Sequence, residues 1–509
     1  MNKFIHTLLF CVLSPWLMAQ YTYFNHGYDP PYPEVGSGES TNLIVRGDSL
    51  LVYGFHPFDS EFGRSILILD QTGTLLQTLN IGVGNDIHIT DFSDTVYPFA
   101  DGYVWSGGNN QFPFIIWMDD QFNEIHRTEK PELFTDTTYS TFFTSCISQN
   151  GDLISTGRRV YDLIPEVPGQ DFTNLLLAKH DELGNEIWFH EYTVAELGVT
   201  GEYSGPFAYP RGGTIESNNG EILVFGSIGN DLDCFVFKFD PEGNYLDHVH
   251  WGSNIYSDGS PWPIQVAENE FLLAYTQTEM MINDVYTSKP RFGILNSDDM
   301  TVQLNQSMDF PTEYGIITDF EKTADGNFLM LGFGAPEIDG EMMYAYMIKV
   351  DLDGNVEWYK TYEPNIPHLE LNAYDLEITQ DGGFAFVGNY RHAETGDFFN
   401  WVVKTDACGE EIFNGCQAVI GVVEEKTSNT GLSLYPNPAN ALLMIDYKPA
   451  GIYSINIYDT MGKLVLQQNT DPFATQFLVD LSELSTSIYE VRLSEVDDTF
   501  RTSAIFIKE

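Results

Sequence analysis

The residue types best suited to chemistry occur in small, incomplete sets. His248 and His250 stand two apart, which on a strand puts both imidazoles on one face. A zinc ion needs at least three protein ligands, and no third accompanies them. Asp351-Leu352-Asp353-Gly354 begins like a calcium loop, but the places for Gly and Glu hold Val356 and Tyr362. Asp119-Asp120 has the makings of an acid–base pair, yet among 74 acidic residues such pairs are common. There is no HExxH, G-x-S-x-G, P-loop, GxGxxG opening a helix or CxxC pair. No catalytic residue, metal or cofactor is assigned. Cationic and aromatic groups are scarcer and more informative. Arg158 and Arg159 open the long insert RRVYDLIPEVPGQDFTN, and Tyr390, Arg391 and His392 lie in NYRHAETGDFFN. Arg forks and aromatic faces suit carboxylated or neutral sugars. These five are the candidate binding residues, read as loop residues.

The elements that must position them follow from a recurring phrase. KHDELGNEIWFHEYT, KFDPEGNYLDHVHWG, KVDLDGNVEWYKTY and KTDACGEEIFNGC are near-copies, led by Asp181, Asp240, Asp351 and Asp406. Further copies start at Asp70, Asp119 and Asn296. Each follows a short apolar run, and Gly73, Gly184, Gly243, Gly354 and Gly409 share one offset, where positive φ suits glycine. A second turn precedes each copy, as in NGDLISTG, NGEILVFG, DGNFLMLG and DGGFAFVG, at spacings of 54, 49, 69, 50, 56 and 56 residues. Two hairpins per unit make four strands. Seven such units with no helical periodicity match an all-β, seven-bladed β-propeller. The seventh unit ends in a poor outer strand, EEIFNGC, whereas YTYFNHG at 21–27 resembles the outer strand WYKTYE of the sixth. The N-terminal segment is expected to close the ring. Trp188, Trp358 and Phe413 are read as blade-to-blade packing, and Lys179, Lys238, Lys349 and Lys404 as surface ion-pair partners.

Composition bounds the partners. With 23 Lys+Arg against 74 Asp+Glu, the net charge is −51. Such a surface repels nucleic acid, which is bound largely through Lys and Arg, and acidic lipid headgroups. Neutral glycans, cations or basic surfaces fit better, and the carboxylates also keep the chain soluble. MNKFIHTLLFCVLSPWLMA has a charged front, an apolar stretch and Ala19 at the cut, the pattern of a signal peptide. No later segment reads as a transmembrane helix. Cys408 and Cys416 flank a short turn and are the expected disulfide, while Cys146 and Cys234 read as buried thiols.

Beyond 418–431, AVIGVVEEKTSNTG, read as a linker, the pattern changes to short alternating strands, a small antiparallel β-sandwich. Residues 432–509 carry Tyr435-Pro436-Asn437-Pro438, Tyr458-Asp459 with Gly462-Lys463, Ile488-Tyr489 with Val491, and Lys508. In that order they resemble the type A C-terminal sorting domain of type IX secretion cargo from Bacteroidetes. Ser487 stands where members of that family usually have Gly. The resemblance implies passage across the inner membrane by the signal peptide and across the outer membrane by the tail. It also implies contact with the type IX machinery and a sortase-like protease that removes the tail, leaving the body secreted or on the cell surface. The expected organisation is signal peptide 1–19, propeller 20–417, linker 418–431 and sorting domain 432–509. The body is expected to act as an extracellular recognition or adhesion scaffold for a glycan or surface protein. The alternatives are a glycan hydrolase or lyase working at the channel mouth and a self-assembling surface component.

Overall fold

The computed structural model describes residues 23–28, 39–58, 61–83, 95–108, 112–130, 139–162, 171–199, 208–228, 233–252, 258–280, 286–304, 314–335 and 343–411. In the C-terminal part it describes 432–435, 439, 442–447, 453–459, 463–469, 476–481, 484–485, 487–495 and 500–508. The signal-peptide segment, Phe413, Cys416 and the linker lie outside these residues. The chain divides into two compact units, Met1–Val419 and Ile420–Glu509. Among the described residues no helix is long and apolar enough to cross a membrane.

The first unit is built of four-stranded antiparallel blades, with strands a to d running outward from the axis in chain order. Blade 1 is Glu39–Arg46, Ser49–Phe58, Glu61–Asp70 and Leu75–Val83; blade 2 is Thr95–Phe99, Gly102–Gly108, Pro113–Met118 and Glu124–Glu129. Blade 3 is Tyr139–Ile147, Leu153–Asp162, Asp171–His180 and Glu186–Tyr192; blade 4 is Ala208–Glu216, Ile222–Ile228, Asp233–Phe239 and Tyr245–Trp251. Blade 5 is Trp262–Gln265, Glu270–Met280, Tyr286–Asn296 and Thr301–Leu304; blade 6 is Tyr314–Lys322, Phe328–Ala335, Tyr344–Val350 and Val356–Tyr362. Blade 7 supplies only His368–Ile378, Phe384–His392 and Phe398–Thr405 in sequence, and its outer strand is Phe24–Tyr28. That strand pairs antiparallel with Phe398–Thr405, Phe24 opposite Lys404 and Tyr28 opposite Asn400. The innermost strands touch in a closed circle, His368–Ile378 meeting Glu39–Arg46. The ring thus closes as the N-terminal pattern predicts.

A blade has two apolar faces, so neither can be left to water. ILVFGSI and DCFVFKF in blade 4 are buried at every position. Among the described residues the buried side chains form seven interblade clusters, one for each pair of neighbours, including the pair 7 and 1. The second unit packs a three-stranded and a four-stranded sheet around Leu443, Ile445, Ile455, Ile457, Val479, Tyr489, Val491 and Phe506.

The repeated phrase is the hairpin turn between strands c and d. In blade 3 the Asp181 carboxylate accepts the amides of Leu183 and Asn185, and Gly184 takes a φ of 83°. Asp351 does the same for Asp353 and Asn355, which accounts for its calcium-like spacing. These turns also hold the preceding blade: Tyr28, Tyr192 and Tyr362 donate to the carbonyls of Gly73, Gly243 and Gly409, each in the following blade. Trp188 Nε1 donates to Pro241 O, again across a blade boundary.

The repeated lysines are not at the surface, contrary to the sequence expectation. Lys179, Lys238, Lys349 and Lys404 are 6%, 8%, 6% and 0% exposed. Each pairs with an acid from the a–b turn region of its own blade: Asp152, Glu221, Asp325 and Asp381. Lys238 also donates to Ser297 O and Lys404 to Gln71 Oε1, both in the next blade. Lysine's stem lies among core strands while its ammonium meets an acid held in place by the turn. Truncating one member of a buried pair strands the other charge. Lys404→Ala is expected to cost about 3 kcal/mol in chemical unfolding, with Lys404→Met/Asp381→Leu recovering most of it. A single mutant within about 0.5 kcal/mol of the parent would contradict that role. Deleting residues 20–28 is expected to lower the calorimetric melting temperature of the propeller; an unchanged transition would refute closure by this strand.

Candidate functional site

Among the described residues, carboxyls with strongly raised pKa values concentrate on the innermost strands. Strand a is bulged between Ile317 and Asp319 in blade 6 and between Ala373 and Asp375 in blade 7, with like irregularities in blades 1, 3 and 4. A bulge adds local twist and re-aims the residue that follows it. That residue reaches the next blade. Asp319 Oδ2 accepts the amide of Leu376 at 2.7 Å, and Asp375 Oδ2 those of Leu43 at 2.5 Å and the Asn42 side chain at 2.9 Å. Asn42 Oδ1 in turn accepts the amide of Val96, and Tyr97 Oη that of Ser145. Thr144 and Thr214 continue the run through their hydroxyls, 2.8 Å apart. A chain of ties therefore runs from blade 6 through 7, 1, 2 and 3 to blade 4.

Two residues further along, Glu321 and Glu377 share the face of Asp319 and Asp375. By register their counterparts are Ile44, Tyr97, Cys146, Ile215 and Ile264, so acids occupy this place only in blades 6 and 7. Burial raises all four carboxyls. Asp319 is pushed up to about 6 and Glu377 to about 8, the latter also by the charge of Asp319. Desolvation, then neighbouring carboxylates, hold Glu321 and Asp375 well above the usual range. Asp319 and Asp375 each accept a backbone amide across a blade boundary. Asp319 and Asp375 are thus used structurally. Glu321 and Glu377 are not part of the ties, and Glu377, pushed up to about 8, retains the capacity to donate a proton near neutral pH.

The sequence candidates fall elsewhere and are not brought together. Arg158 and Arg159 belong to strand b of blade 3, not to a loop: alternation continues through Val160 and Tyr161, and Arg158 pairs with Leu175 and Arg159 with Asn174. Both are buried, 4% and 8% exposed. Arg158 lies over the Phe143 ring; Arg159 lies over Tyr161 and bonds Glu191 at 2.9 Å. Tyr390 is a core residue of blade 7 stacked on Phe399. Arg391 is exposed, near Glu370, and donates to Gly396 O, while His392 Nδ1 accepts the amides of Glu394 and Thr395. His248 and His250 stack at 5.7 Å, as their spacing requires. Among the described residues no group of His, Cys, Asp or Glu is arranged to hold a metal. Cys408 is in a disulfide, and its expected partner Cys416 lies outside the described residues. Cys146 and Cys234 are free thiols.

A second feature is topological. In blades of this order the b–c hairpins all emerge on the face opposite the Asp-led turns. In blades 1, 3 and 5 strands b and c are 10 or 11 residues long, and in blade 7 they are 9 and 8. In blades 2, 4 and 6 they are 6 to 8. The described parts of strands b and c are therefore longest in blades 1, 3 and 5, and those of blades 3 and 7 carry all five sequence candidates.

In the second unit Tyr435 pairs with Met444, and Ser487 with Lys508. Tyr489 stacks on Phe506 and donates to Ser485 O. Lys508 is buried. Pro436, Asn437, Pro438 and Gly462 lie outside the described residues.

Residues 433–508 match the family model described as Secretion system C-terminal sorting domain. The tail is a type IX sorting domain, and the chain is cargo of that route, directed to the cell surface or extracellular space. No curated protein matches. Among solved structures the Neurospora crassa Pan2 WD40 domain is similar at 7% identity, over 76% of this chain and 96% of that one, with a TM-score of 0.43. A Dyadobacter fermentans protein of unknown function gives 9%, 73%, 94% and 0.39. An α-L-arabinanase of Penicillium chrysogenum complexed with arabinobiose gives 10%, 76%, 98% and 0.37. The blade assignment itself stands on strand pairing.

The raised carboxyls set a pH dependence. The folded state keeps the Glu377 proton up to about pH 8, while an ordinary Glu releases it near 4.5. The stability this contributes is complete below about pH 4.5 and is lost as pH rises through 8. Glu377→Gln is expected to gain about 2 kcal/mol over the parent at pH 8.5 and little at pH 4.5, measured by urea unfolding. An equal difference at both pH values would show that Glu377 titrates normally.

Proposed function

We propose that the exported propeller is an extracellular recognition or adhesion scaffold whose contact surface is the rim of raised hairpins on blades 7, 1, 3 and 5. The observation that carries this reading is strand length: the described strands b and c of blades 1, 3 and 5 are 10 or 11 residues long, against 6 to 8 in blades 2, 4 and 6. Blade cores are packed and connections carry specificity. In this reading Arg158, Arg159 and Tyr390 stiffen the rim from inside, and Arg391 and His392 stand at its surface. The ligand class is a neutral or carboxylated glycan, or a surface protein. Type IX machinery and its sortase-like protease are the partners of the tail during export.

A glycan-degrading activity is the second reading, favoured by one observation. Glu377, pushed up to about 8, holds its proton near neutral pH as a general acid must, and burial raises Glu321 in the same direction. Glycan-array binding by the full chain separates the two readings. The scaffold reading expects a ligand whose binding is lost when residues 159–174 are replaced by Asn-Gly and kept in Glu377→Gln. Polysaccharide turnover abolished by Glu377→Gln, with no array ligand, would establish the enzyme reading instead.

A further inference from the structure

The internal repeat supplies its own control for one residue. Immediately before the turn Asp or Asn, blades 1, 2, 4, 5 and 6 place Leu69, Met118, Phe239, Leu295 and Val350, all buried. Blade 7 has Thr405, and blade 3 has His180, only 2% exposed. An imidazole therefore occupies a position that the fold otherwise fills with hydrocarbon. Burial holds the ring neutral, its pKa lowered to about 4. A neutral imidazole has one donor and one acceptor nitrogen. Neither Nδ1 nor Nε2 has a hydrogen-bond partner in the protein. Trp117, whose ring lies edge-on to His180 at 5.6 Å, also buries an unpartnered Nε1.

Beside the ring is a cavity of about 10 Å³, lined by Pro113, Ile115, Thr128, Glu129, Lys130, Phe142, His180 and Phe189. Its blade 2 side brings polar residues, Thr128, Glu129 and Lys130, to an otherwise apolar wall. Lys130 bonds Glu186 at 2.5 Å and lies over the Phe189 ring, bridging the two blades at this edge. About 10–15 Å³ is room for one water molecule and nothing larger, and a buried water needs two to four polar partners. An unpaired buried polar group costs about 1–3 kcal/mol, which a bridging water removes.

We infer that this cavity is a hydration site: one water molecule is held between the His180 ring and the polar wall of blade 2. It serves as a structural ligand of the blade 2–3 seam. The ligand is water rather than a metal ion because the lining offers one imidazole and one carboxylate, Glu129, which already pairs with Arg127, and these are too few ligands.

A high-resolution crystal structure of the full chain at neutral pH tests this. Density for one water within about 3.2 Å of a His180 nitrogen is expected. Only carbon within that distance, with no density, would overturn it. His180→Met, which installs the residue blade 2 uses at this place, is expected to lose the water, and His180→Gln to retain it. A water that persists in His180→Met is held by the other walls and likewise overturns the assignment. Because the parent structure carries the first test, the inference stays falsifiable if a variant fails to fold.

Discussion

At three boundaries a blade depends on its neighbour's turn. An outer-strand tyrosine donates to the carbonyl of a glycine held at positive φ in the following blade, as Tyr28 does to Gly73, Tyr192 to Gly243 and Tyr362 to Gly409. The contact demands glycine twice over. The backbone conformation is one that L side chains rarely adopt, and a Cβ at Gly73 would come within 2.8 Å of the Phe24 ring. At Gly243 the same atom would meet His190 at 2.6 Å. A turn that looks like a local hairpin device is therefore also the docking point for the preceding blade, which is why the phrase recurs so faithfully. Blade 2 departs from it: Phe122 sits at the glycine offset with a φ of 63° and stacks on Tyr103 at 4.2 Å. There the ring's packing offsets the strained backbone.

Nearer the axis, polar ties replace aromatic grips. Buried lysines pair with acids of their own blade, and bulged inner strands send carboxylates, an amide and hydroxyls to the next blade. Such groups add little net stability over a hydrocarbon core, but they are costly to break singly. Their effect is to make one blade-to-blade alignment satisfiable, whereas hydrocarbon contacts tolerate sliding. The acids at Asp319, Glu321, Asp375 and Glu377 concentrate this cost in blades 6 and 7, beside the seam where the chain's two ends of the ring meet.

The fold was legible because the repeat was. Asp-x-x-Gly turns at a common offset defined strands c and d, and the resemblance of YTYFNHG to WYKTYE of the sixth unit identified the closing strand. Side-chain environment was less legible. Lys179 and its counterparts looked like surface residues because lysine is rarely buried, although their fixed place two residues before the turn Asp was a signal of internal pairing. Arg158 and Arg159 were read as loop because proline and glycine follow at Pro165, Pro168 and Gly169. The hairpin instead extends through Asp162 and resumes at Asp171. The carboxyl quartet was hidden for a different reason: Asp-x-Glu on a strand is ordinary alternation, and only the bulges and neighbouring blades remove its water. His180 could have been found from sequence alone, since aligning the seven units on the turn exposes it against Leu, Met, Phe and Val.

Closure by the N-terminal strand has a consequence for export. The seven blades are complete within residues 24–405, their last sheet finished by Phe24–Tyr28 rather than by anything C-terminal to it. The sorting domain has its own two sheets and its own core around Ile455, Ile457 and Val491. A tail so organised can be recognised, and removed, without taking a strand from the ring. The converse constraint falls on the other end: Phe24 buries its ring in the cluster shared by blades 7 and 1, so the closing strand is part of the finished core. The cut expected after Ala19 would make Phe24 the fifth residue of the processed chain and so would spare the closing strand.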